Sequence, residues 1–166
     1  MAGRREAVVL LFAVLIAAVC GLIYELIAGA LSSYLLGGSV TQFSLVIGVF
    51  LSAMGLGSFL SRYIRRDLVA WFIGIEVLVG LIGGFTALLG FAAFAFTEIY
   101  RPYLFLHVVV VGTLIGLEVP VVLRILKARA ELRVSVANVL TVDYVGALIA
   151  SLLFPFLLIP NLGLVD

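Results

Sequence analysis

Residues 135–164 read SVANVLTVDYVGALIASLLFPFLLIPNLGL, and this stretch decides the fold. A bilayer-crossing helix needs about 20 apolar residues rising 1.5 Å each, and this run supplies them. It nevertheless carries a carboxylate, Asp143, about one and a half turns in. Three more carboxylates sit inside apolar runs elsewhere: Glu25, Glu76 and Glu118. A lone charge in hydrocarbon costs at least about 2.5–3.5 kcal/mol on insertion scales. The four acids are therefore expected to face one another, Arg or water, and not lipid.

Composition points the same way. Of 166 residues, 65% are apolar and 11% charged, with a mean hydropathy of +1.37. A soluble domain has roughly 45–50% apolar and about 25% charged residues. A chain this apolar cannot hide its surface from water by folding alone, so an all-α integral membrane protein is expected, a bundle of about five transmembrane helices. One cysteine, Cys20, excludes an intrachain disulfide. One Cys and one His cannot build a metal site alone, and no motif implies a cofactor. Arg4 and Arg5 before an apolar run, with Ala17-Ala18-Val19-Cys20 after them, superficially resemble a cleaved lipoprotein signal. Valine before the cysteine fits poorly and the apolar run continues to Leu36, so a retained first helix is expected.

Five stretches qualify as spans: about 7–36, 41–61, 69–96, 103–126 and 136–159. The first is too long for a straight perpendicular helix, and Cys20-Gly21 is a plausible weak point. Gly37, Gly38 and Ser39 make a short turn. Residues 97–102 form another, with Pro102 suited to a first helical turn. A basic loop at 127–133 precedes the fifth span, and residues 155–164 read as a turn between spans. Nine of the ten basic residues fall on one side of this topology, and only Arg101 falls on the other. The Lys and Arg bias predicts a multi-pass protein with a cytoplasmic N-terminus.

Small residues recur at helical spacing. Gly80 and Gly84 form one GxxxG, Gly112 and Gly116 another; Gly48, Ser52 and Gly55, and Gly146 with Ala150, are looser variants. Such residues let helix backbones approach, within the chain or between copies in a homo-oligomer. Gly55-Leu56-Gly57 lies inside an apolar span with no strand before it, so it is not a nucleotide loop.

Counting from the basic ends at 1.5 Å per residue puts Glu76, Glu118 and Asp143 about 10–12 Å inside the cytoplasmic boundary. Three helices thus place an acid in one layer, to which Arg124 is added as a candidate member. Glu25 counts deeper and stands apart. Two readings compete. Each acid is satisfied structurally, by Arg124, Arg62, Tyr24, Tyr144, Asn138 or a backbone donor near Pro120; or the layer lines a polar cavity that holds a cation or relays protons. His107, in the outer half of the fourth span, reads as a packed or interfacial residue. Trp71 with Tyr63, and Tyr100 with Tyr103, read as interfacial belts.

Five segments carry a resemblance: GLIYELIAG at 21–29, LLGGSVTQFS at 35–44, AMGLGS at 53–58, GLEVP at 116–120 and NVLTVDYVGA at 138–147. In order and spacing they resemble the membrane region of bacterial membrane-bound spermidine synthase-like proteins, the polyamine aminopropyltransferases with an N-terminal membrane region. The resemblance implies further spans and then a soluble Rossmann-like domain that transfers an aminopropyl group from decarboxylated S-adenosylmethionine to putrescine. The chain has no counterpart of that domain, so the resemblance implies a truncated piece or a split membrane subunit, whose partner is the aminopropyltransferase domain. It supplies no catalytic residue. The expectation is a membrane anchor that handles a polyamine or another cation at its acids. Half of a small-molecule or ion transporter with Pro-interrupted spans, and a packing-only anchor, remain alternatives. No nucleic-acid signal is present.

Overall fold

The computed structural model describes residues 2–96, 100–127 and 132–162. Every element among them is helical, and no strand is present. Helix α1 spans Ala2–Leu36, α2 Ser39–Leu60, α3 Leu68–Gly84, α4 Thr86–Phe96, α5 Tyr100–Lys127 and α6 Leu132–Leu153. A 3₁₀ turn, Ser61–Tyr63, follows α2. A wider π turn, Phe154–Leu158, joins α6 to the short α7, Ile159–Leu162.

Four helical stretches are long and apolar enough to cross a membrane, or five if α3 and α4 together make one span. These two meet at a 43° bend. Gly83 and Gly84 weaken the helix there, and the Thr86 hydroxyl donates to the Gly83 carbonyl at 2.5 Å. The third apolar stretch is therefore two helices and not one.

The first helix shows the opposite departure. It runs unbroken through Cys20-Gly21, the expected weak point. Gly21 is buried, and a Cβ there would meet Ile115 Cδ1 at 3.1 Å. The glycine serves close packing of α1 on α5 rather than a break. Gly37 and Gly38 do make the turn, with φ of 72° and 63°, values that cost glycine little. Residues 155–162 are helical and do not form the turn expected there; Gly163 and Leu164 lie outside the described residues, as do 97–99 and 128–131 of the two predicted loops.

Two helices hold the bundle together. Both α1 and α5 touch each of the other long helices. Half of the most apolar window of α5 is buried, against 17–22% for the other long spans, so α5 is the central post. Its neighbours turn inward faces spaced as one side of a helix. On α2 these are Val46, Phe50, Ala53 and Gly57; on α3 they are Phe72, Ile75, Val79 and Gly83.

The glycines divide sharply. A Cβ on Gly116 would land on the Met54 main chain, and one on Gly57 would land on the Thr113 carbonyl oxygen. Here α2 and α5 touch backbone to backbone. Gly146 likewise lets α6 approach Ala18 and the Leu15 carbonyl of α1. By contrast Gly48, Gly55, Gly80 and Gly84 have nothing within 4 Å of a Cβ and face outward. Packing within the chain therefore accounts for Gly112, Gly116 and Gly146, and not for the Gly80–Gly84 pair.

Candidate functional site

The acid layer is assembled by the stripes that pack the helices. On α5, Glu118 follows Ile115, the residue seated on Gly21 of α1, by three positions, and so lies on the same side of the helix. On α3, Glu76 follows buried Phe72 by four. On α6, Asp143 lies between buried Val139 and Gly146, at spacings of four and three. In each case a carboxylate occupies a position that helical periodicity would give to an apolar residue.

Glu118 is buried, at 5% exposure, and its Oε1 has no hydrogen-bond partner among the described residues. It lies within electrostatic range of both Glu76 and Asp143, which are half-buried. Two α1 side chains complete the surroundings. Cys20 is within electrostatic range of Glu76 and Glu118, and its thiol interacts with the Tyr24 side chain. Tyr24 has room because Gly83 of α3 lies against its ring, where any Cβ would collide. Four helices thus converge on one polar centre: α1, α3, α5 and α6.

The other residues named from sequence go elsewhere. Arg124 hydrogen-bonds the carbonyls of Ser61 and Ile64, each at 2.6 Å, and of Pro120 at 3.2 Å. It covers carbonyls freed where α2 ends, so it holds that link to α5 and does not answer an acid. Arg62 lies over the rings of Phe59 and Tyr63, 3.7 Å and 4.8 Å from their centroids. Tyr144 and Asn138 are exposed. Glu25 is buried on α1, apart from the layer.

Nearer the start of α5 lies a separate polar contact. His107 is buried and its Nε2 lies 2.9 Å from Thr86 Oγ1. Since Thr86 already donates to Gly83, it accepts from the imidazole, and this pair fixes the α3–α4 bend against α5. Tyr103 is near His107, with ring centroids 6.2 Å apart. Tyr100 departs from the interfacial reading: it is 3% exposed and packs edge-on to Phe94. Tyr63 and Trp71 are exposed, as residues of an interfacial belt would be.

Sequence reasoning named Tyr24 as a possible partner of the acids but missed that Cys20 joins it at the centre. The available signal was their i, i+4 spacing on one face of α1. No local signal could have linked Arg124 to carbonyls 60 and 63 residues away. Among the described residues, no three His, Cys, Asp or Glu side chains gather as a metal site would. The centre is a spread of separated carboxylates around one orphaned oxygen. It can accept hydrogen bonds from a cation, or share protons.

Comparison with known proteins gives the relationship. The polyamine aminopropyltransferase of Leptospira interrogans is 50% identical over 155 residues, which is 93% of this chain and 31% of that protein. The chain is homologous to polyamine aminopropyltransferases. Polyamine aminopropyltransferase 2 of Ralstonia nicotianae is 52% identical over 165 residues, covering 98% of the chain and 32% of the relative. Polyamine aminopropyltransferase 1 of Streptomyces coelicolor is 43% identical over 162 residues, 96% and 30% respectively. The chain spans about a third of the length of these curated relatives. No family profile matches it, and no solved structure is detectably similar.

Proposed function

We propose that the chain is the membrane-embedded region of a spermidine synthase-like aminopropyltransferase of the bacterial inner membrane. It anchors the enzyme with its N-terminus in the cytoplasm, and its acid layer binds a polyamine or another cation. The homologues' names support the enzyme relationship. Aminopropyl transfer itself is assigned to the aminopropyltransferase domain, the partner to which this region is joined. The membrane reading is supported by helices long enough to span and by outward apolar side chains such as Val9, Ile73, Leu88 and Phe156, each more than half exposed. Large apolar side chains exposed in such number are what a lipid-facing surface requires. Gly80 and Gly84 offer an outward face on which a second copy would pack.

The observation that carries the ligand reading is the unpartnered oxygen of buried Glu118. A carboxylate at that depth needs either a proton or a donor. The three acids are spread over three helices and do not gather tightly. A cation with charges distributed along a chain suits that spread better than a single ion does. The test is thermal unfolding of the detergent-purified protein with putrescine or spermidine. The native chain is expected to be stabilised, by about 2.7 kcal/mol at a hundred times the dissociation constant. Glu118→Gln, which keeps the shape, is expected to fold and to lose the shift. No shift in the native chain at millimolar ligand leaves a packing-only anchor. Resistance to alkaline carbonate extraction checks the membrane assignment separately.

One observation favours a transporter half: the α3–α4 pair is a broken helix, a common device where transporters bind cargo. Uptake of radiolabelled putrescine into vesicles containing the chain separates the two readings. A bound but untransported amine supports the anchor.

A further inference from the structure

An open groove runs between the start of α3 and the end of α5, about 680 Å³ in volume. Arg65, Asp67 and Arg124 line its polar part, and Val69, Ile73 and Ile125 line its apolar part. We infer that this groove is a binding site for a phospholipid whose headgroup carries both a phosphate and a primary ammonium, of the phosphatidylethanolamine type. The inference rests on the membrane reading above and is independent of the acid layer.

The charges come as a pair of signs. Arg124 is held in place by its bonds to the Ser61 and Ile64 carbonyls. A guanidinium has five N–H donors, so those bonds and the one to Pro120 leave capacity for a phosphate. Arg65 lies in the link beyond α2 and is exposed. Asp67 immediately precedes α3 with φ 52°, and its side chain makes no capping bond to the helix. Its carboxylate is therefore left to the groove. A purely anionic headgroup would meet Asp67 as a like charge. A quaternary ammonium headgroup can approach a carboxylate but has no N–H to donate to it. A phosphate on the arginines with a primary ammonium on Asp67 satisfies all three side chains. Val69 and Ile73, one helical turn apart and each more than half exposed, continue from the charges as a wall for an acyl chain.

Trp71 is the sole tryptophan. It is exposed, and it lines the adjoining groove together with Asp67. It therefore reports on lipid at this site. The experiment reconstitutes the full chain in vesicles of phosphatidylcholine containing brominated phosphatidylethanolamine, phosphatidylcholine or phosphatidylglycerol, and measures quenching of Trp71 fluorescence. Phosphatidylethanolamine is expected to show a relative affinity about two- to fivefold above phosphatidylcholine, the size of effect one exposed ion pair supplies. Asp67→Asn is expected to erase that preference and to raise phosphatidylglycerol. Asparagine tolerates the left-handed conformation, so the link should keep its shape. Asp67→Glu is expected to retain part of the preference. Arg65→Gln is expected to weaken both phosphatidylethanolamine and phosphatidylglycerol. Equal quenching by phosphatidylethanolamine and phosphatidylcholine in the native chain overturns the inference, as does phosphatidylglycerol binding above phosphatidylethanolamine. Absence of quenching by every brominated lipid overturns the membrane reading itself.

Discussion

Gly112 and Gly116 on α5 share a spacing with Gly80 and Gly84 on α3, and the bundle treats the two pairs in opposite ways. The first pair is buried under α2, where Gly116 touches the Met54 backbone and a Cβ on Gly112 would lie 3.0 Å from Phe50 O. The second pair points out of the bundle into open space. Identical motifs therefore say only that a helix has a thin face. What covers that face depends on which side of the helix the rest of the chain occupies. Glu118 sits two residues beyond Gly116 on the buried helix, so the close α2–α5 contact also fixes where the acid layer lies.

The largest expected effect is at the buried pair. Gly116→Leu forces α2 and α5 apart at their closest point, and no side-chain rotation relieves a clash with main chain. Overpacking typically costs about 1–3 kcal/mol and occasionally more, and this variant is expected at or above the top of that range. Retention of native thermal stability in detergent would show that the α2–α5 contact is not as close as described. Next in size is Arg124→Ala, which uncovers the carbonyls of Ser61 and Ile64 together. A loss of about 1.5–3 kcal/mol is expected from charge-assisted bonds. Arg124→Lys should recover only part of it, because an ammonium cannot reproduce the guanidinium fork. Full recovery by lysine would mean that charge alone matters at the α2–α5 link.

The same contrast explains what could be read from sequence. The apolar runs at residues 41–61 and 103–126 led directly to α2 and α5, because length and composition are strong signals for a long helix. Glu76, Glu118 and Asp143 could be expected near one another because helical rise is fixed, and Glu118 does lie within electrostatic range of the other two. Facing was harder. In an almost uniformly apolar helix the polar side that normally marks the outside is missing, so nothing distinguished the face of Gly80 from that of Gly116. Breaks were misread for a related reason. Glycine at position 21 is a packing surface and the Gly83-Gly84 pair accompanies a bend, and the difference lies in Ile115 and Thr86, which are distant or non-obvious partners. Arg124 could be suspected of pairing with an acid, but its targets are carbonyls that only the three-dimensional end of α2 presents.

The smallest effect is the most informative about the exposed pair. If the Gly80–Gly84 face meets lipid alone, Gly80→Ala replaces a flexible residue by the best helix former at no steric cost, since nothing lies within 4 Å of the new Cβ. Stability should then rise by about 0.5–1 kcal/mol, the ordinary difference between the two residues within a helix. If the face meets a second copy, the added methyl enters a helix–helix seam that small residues keep close. Stability would then fall, and the loss relative to the native chain would be largest at high protein-to-detergent ratio and shrink on dilution, since association contributes by mass action. Gly80→Ala and Gly84→Ala are therefore to be measured singly and together, each at two protein-to-detergent ratios. A concentration-independent gain in all three makes the outward face a lipid-facing one and removes the GxxxG route to a homo-oligomer. A loss that shrinks on dilution makes the exposed pair the intermolecular counterpart of the buried one.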